Sequence, residues 1–127
     1  MPENHLYEYA VIRIVPRVER EEFLNVGVIL YCRQLRFLQC MYKVDEQRLQ
    51  MLGARLDIEQ VKENLRAFER ICTGGKGSGP IGQLDIASRF RWLTAARSTV
   101  VQTSKVHPGF CDDPAETLTR LYNQLVL

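Results

Sequence analysis

No run in this 127-residue sequence approaches the ~18 consecutive apolar residues that a membrane-crossing helix needs, so no membrane span is expected. None of the four cysteines (Cys32, Cys40, Cys72, Cys111) forms a CxxC pair, and neither histidine stands at metal-finger spacing from one. No metal and no cofactor are therefore expected. Three of the cysteines lie within apolar patterns, as buried thiols do. Residues 1–10, MPENHLYEYA, lack the basic-then-apolar layout of a signal peptide, so the expected location is the reducing cytoplasm. There is no internal repeat and no linker long enough to divide the chain, and residues 1–127 read as a single domain. A net charge of +2 is too small to argue for nucleic-acid binding by itself.

What is present is patterned. Residues 7–15, YEYAVIRIV, are rich in β-branched and aromatic side chains and read as a strand that Pro16 ends. Residues 25–31, NVGVILY, form a second strand, in which Gly27 marks a bulge or a close backbone approach. Residues 36–41, RFLQCM, form a third, joined to the second by a short antiparallel hairpin. The intervening RVEREEF is a polar connection with room for one helical turn, and Asp45 can cap a short helix ending at Gly53. Asp57 and Gln60 fit a capping box, followed by Ile58, Val61, Leu65, Phe68 and Cys72 at helical spacing. Residues 73–80, TGGKGSGP, break both helix and strand. A short helix over 81–88, a strand near 99–103, a loop over 107–114 and a final helix capped by Asp113 and opened by Pro114 complete the pass. The order predicts an α+β fold, a mostly antiparallel sheet packed by helices.

Charge is uneven. Residues 76–110 carry five basic side chains against Asp85 alone, whereas residues 1–75 balance and 111–127 are net acidic. The excess centres on residues 89–100, RFRWLTAARSTV. As a strand, this stretch would put Arg89, Arg91 and Leu93 on one face and bury Phe90 and Trp92 on the other. Two adjacent guanidiniums repel unless an anion lies between them, and arginine grips phosphate or carboxylate with two bonds. Arg97, Ser98, Gln102, Ser104, Lys105 and His107 supply further donors, giving a candidate anion- or partner-binding surface. The plainer reading is a solvated strand face whose arginines pair with carboxylates from elsewhere. The glycine-rich loop matches neither the phosphate-loop nor the dinucleotide pattern in context and reads as a surface loop. His107 is the weak candidate for acid–base catalysis, without a diagnostically spaced partner. His5 reads as a terminal residue, and Glu21, Glu22 and Asn25 as a solvated turn.

Residues 7–32 (YEYAVIRIVPRVEREEFLNVGVILYC), 89–109 (RFRWLTAARSTVVQTSKVHPG) and 112–126 (DDPAETLTRLYNQLV) resemble the bacterial family of uncharacterised proteins catalogued as domain of unknown function 3037. The resemblance covers nearly the whole chain. It maps family positions onto Arg89, Arg91, Trp92, Arg97, Ser98, Gln102, Ser104 and His107. Because members are often encoded beside HipA-like kinases, it implies a kinase partner or a small regulatory module. The leading expectation is thus a non-catalytic binding module. The alternatives are an enzyme on a phosphate-bearing substrate (a nuclease or phosphotransferase) using His107 and the arginines, and a single-strand nucleic-acid binder, the latter disfavoured by low charge and by a core-facing Trp92.

Overall fold

The computed structural model describes residues 4–16, 22–52, 56–96 and 99–127. Strand β1 (His5–Ile14) turns into β2 (Leu24–Cys32) and β3 (Phe37–Tyr42), a meander in which each strand pairs antiparallel with the next. Two helices follow, α1 (Glu46–Leu52) and α2 (Ile58–Thr73), then a single turn α3 (Gly79–Gly82) and α4 (Ile86–Thr94). The chain returns through β4 (Val101–Thr103) and β5 (His107–Cys111) to the final helix α5 (Pro114–Leu125). The sheet runs β3-β2-β1, and both β4 and β5 lie antiparallel along the outer edge of β1. The expected α+β architecture is what the chain adopts.

Alternation in the strands decides which layer lies where. Ala10, Ile12, Ile14, Ile29, Tyr31 and Leu38 face α1, α2 and α4 in the larger core. Val28, Leu30, Cys32, Tyr7 and Cys111 face α5 through Leu118, Leu121 and Tyr122. Strand β2 is covered on both sides, which is why NVGVILY is apolar almost throughout. Gly27 shows both features its position suggested. The β1–β2 register shifts between Ile12 and Arg13, leaving Val26 as the extra residue, and a Cβ on Gly27 would overlap the backbone of β3 at Met41 and Tyr42.

The helix boundaries follow their local signals. Asp57 Oδ1 accepts from the Gln60 amide at 3.1 Å, and Val61, Leu65, Phe68 and Cys72 form the buried stripe of α2. Asp45 Oδ1 accepts from the Arg48 amide, and Asp113 Oδ1 accepts from the Ala115 and Glu116 amides. Asp57→Ala is expected to cost about 1 kcal/mol, read as a lower urea midpoint with an unchanged slope, while Asp57→Asn should retain most of it.

Four expectations are corrected. Residues 89–93 are not a strand: Ile86, Phe90 and Leu93 recur at helical spacing, and Phe90 stacks 5.2 Å from Tyr31, drawing the segment into α4. Trp92 is consequently 39% exposed rather than in the core. Residues 107–111 are strand β5 rather than loop. Pro108 is tolerated in an outer strand, and Gly109 leaves room for the Tyr7 ring, whose hydroxyl a Cβ would meet at 2.5 Å. His5 opens β1, where its Nδ1 lies 2.8 Å from Gln34 Oε1. Elsewhere the glycine-rich stretch is a loop as expected, with positive φ at Gly74, Gly75, Gly77 and Gly79, although its last residues begin α3. The connection over 17–21 and the helix stop at Gly53 lie outside the described residues.

Candidate functional site

A helix turns about 100° per residue, so Arg89 and Arg91 leave α4 in different directions. Arg89 goes inward. It is 9% exposed, and its Nη1 donates to the carbonyls of Ile71 (3.1 Å) and Cys72 (3.0 Å). Both carbonyls belong to the last turn of α2, where no intrahelical donor reaches them. Arg89 is thus a cap supplied by another helix, with its charge at the negative end of the α2 dipole. Gly74 adjoins it: a Cβ there would overlap the guanidinium, and the residue sits at φ 75°.

Arg91 goes outward, into an open cleft of about 1090 Å³. Leu6, Glu8 and Tyr31 of the sheet line its floor. The β2–β3 turn brings Arg33, Gln34 and Arg36 to one side; Asp85, Ile86 and Arg91 of the α4 entry form the other. Within the turn the Arg36 amide donates to the Arg33 carbonyl, and Arg36 takes φ 49°, a left-handed backbone that glycine adopts without cost. Among the described residues, Arg33, Arg36 and Arg91 form no ion pair; the ion pairs found join Lys62 to Glu46 and Glu59. Asp85 is engaged locally: the Ser88 hydroxyl and amide, with Arg91 farther off, hold its carboxyl below the ordinary carboxylate value.

The other candidates lie apart. His107 is opposite Tyr9 in the β1–β5 register, its ring 5.4 Å from the Tyr9 ring, on the α5 side of the sheet rather than the cleft side. Ser104 is buried. Its Oγ accepts from the Val11 amide (2.9 Å) and donates to the Lys105 carbonyl (2.9 Å), while its own amide donates to the Val11 carbonyl. It bridges the one-residue offset between β4 and β5 and makes them one bent strand. Lys105 is exposed beyond it. Gln102 Nε2 donates to the Thr99 carbonyl at the rim of a small apolar hollow of about 210 Å³ beside Trp92, Phe68 and Ile71. That volume is below the roughly 300 Å³ at which small-molecule sites begin. Arg97 and Ser98 lie outside the described residues. Of the eight residues singled out from sequence, the cleft therefore contains Arg91.

Sequence reasoning missed Arg33 and Arg36. Their signal was the CRQLR turn itself, two arginines flanking a tight hairpin; what it did not show was that this turn meets α4. The four cysteines are free thiols, and the Cys40 thiol beside Cys72, together with burial, pushes the Cys72 thiol well above its ordinary value. Among the described residues no cluster of three or more His, Cys, Asp or Glu could hold a metal ion, and no helix is long and apolar enough to cross a membrane.

Residues 9–126 match the family model described as "Protein of unknown function (DUF3037)". The chain belongs to this family. Helix α5 and all of the sheet but the first four residues of β1 fall within the DUF3037 match, as does most of the cleft; Leu6 and Glu8 of its floor precede the match. No curated protein and no solved structure matches the chain.

Proposed function

We propose that this protein is a non-catalytic binding module that receives an anionic ligand or partner in the cleft between the β2–β3 turn and α4. The observation that carries the reading is the convergence of Arg33, Arg36 and Arg91, all exposed, on one open space, with no carboxylate among the described residues in ion-pair contact with them. Guanidiniums so placed remain free to grip carboxylate or phosphate groups by two bonds. The left-handed backbone of Arg36 belongs to the hairpin turn and costs a non-glycine residue about 1 kcal/mol. A HipA-like kinase is the protein partner that the family resemblance suggests. The phosphate-chemistry alternative draws no support from His107, which faces away from these arginines.

Arg36→Gly separates fold from function. Relief of backbone strain offsets the greater freedom of the unfolded chain, so stability should stay within about 1 kcal/mol of the parent. Binding should weaken. Removing Arg33 and Arg91 together should weaken binding about tenfold or more while the melting temperature moves by only a few degrees, because neither side chain forms an ion pair among the described residues. The measurement is titration calorimetry with pyrophosphate, a glutamate-rich peptide and a HipA-like kinase as separate probes. A variant lacking both arginines that binds as the parent does would overturn the proposal.

A further inference from the structure

We infer that the occupant of this cleft is a segment of another protein that carries acidic and large apolar side chains close together. The inference rests on the reading of the cleft as a binding site and adds the class of partner. Three features select a protein segment over a polyphosphate or a nucleic acid.

The first is mixed charge. Glu8 lies half-buried in the floor and Asp85 stands at the α4 side, so two carboxylates face the space that three guanidiniums face. A polyanion would bring its charges against both, at an electrostatic cost that grows with each phosphate. A polypeptide can set an acidic side chain against the arginines and an amide or a basic group against Glu8.

The second is an apolar shelf. Leu6, in the floor, is 50% exposed; its partner across the β1–β5 ladder, Phe110, is 70% exposed. Directly opposed residues of an antiparallel pair project from the same face, so Phe110 continues the floor outward over β5. A phosphate gains nothing from that surface, whereas an apolar side chain laid on it sheds water. Arginine and aromatic residues are also those enriched where proteins meet one another.

The third is openness. The cleft, about 1090 Å³, lies open to solvent, unlike sites that bury most of a small ligand's surface.

The test presents short random peptides on phage to the intact protein and sequences those retained. The expected peptides place Asp or Glu within a few positions of Phe, Leu, Ile or Trp. A synthetic representative should bind the parent and weaken about tenfold or more both in the variant lacking Arg33 and Arg91 and in Phe110→Ser. Phe110 is exposed enough that its loss leaves the fold intact, which melting of the variant checks. Retained peptides lacking either the acidic or the apolar component, or indifferent to Phe110→Ser, would overturn the inference. So would pyrophosphate or a single-stranded oligonucleotide binding the cleft while peptides do not, a result that leaves the anion-binding reading standing. If none of these probes perturbs the amide signals of the cleft residues, both readings fall.

Discussion

Arg89→Ala is expected to destabilise the protein by about 3 kcal/mol, lowering its melting temperature by about 10 °C. The Ile71 and Cys72 carbonyls would lose their charged donor, and a hydrogen bond to a charged group contributes about 1.5–3 kcal/mol by itself. Deleting the side chain also empties volume between α2 and α4, adding a cavity cost. Arg89→Lys should recover only part of the loss, because one ammonium cannot reproduce the planar guanidinium at the end of α2. Arg89→Met would refill the space without the donors and so separates packing from hydrogen bonding. Thermal melts of the three variants provide the measurement. An alanine variant melting within about 2 °C of the parent would mean that water satisfies the two carbonyls and that the cap is dispensable. Arg91→Ala, two residues along and in solvent, should by contrast melt close to the parent. The two arginines that look equivalent in RFRW are thereby assigned opposite roles.

Gly27→Val should be at least as damaging, at about 3 kcal/mol or more. A Cβ at this position would lie 2.7 Å from the Cβ of Tyr42 and closer still to the Met41 carbonyl oxygen. The first is fixed by its backbone and the second is backbone, so no rotamer change relieves the clash. Strands β2 and β3 would have to separate where β2 is buried on both faces. Gly27→Ala already creates the overlap and should show most of the loss, which distinguishes a steric cause from β-branching. The check is the urea midpoint of each variant. An alanine protein as stable as the parent would mean that the ladder shifts at little cost.

These two positions also show how far the sequence could be read. Gly27 was legible because a glycine in an apolar strand has few reasons to be there, and both candidate reasons hold. The caps at Asp57 and Asp113 and the stripe of α2 were legible because they involve residues three or four apart. Arg89 was not. Its partners are carbonyls seventeen and eighteen residues earlier, and a carbonyl leaves no mark in an amino-acid sequence. Over five residues, RFRWL satisfies strand alternation as well as helical spacing, and only Ile86 upstream tips the balance. The cleft was invisible for a similar reason. Arg33 and Arg36 meet Arg91 only because α4 packs on the face of the sheet beside which the β2–β3 turn ends. The basic excess drew attention to the right helix but not to the wall opposite it. In β5 the proline and glycine concealed a strand whose outer position and whose contact with Tyr7 accommodate both.

The placement of β1 has a consequence for how the protein is made. It is synthesised first, yet the strands along its outer edge are contributed by residues 101–111. On the ribosome, the meander and α2 can assemble while that edge still has its amides and carbonyls open. An open edge is a template for other strands, including those of a neighbouring nascent chain. The last quarter of the polypeptide, held by the Ser104 bridge in one bent ribbon, closes it. Chains released before that ribbon emerges should accumulate as aggregates rather than as shorter folded proteins.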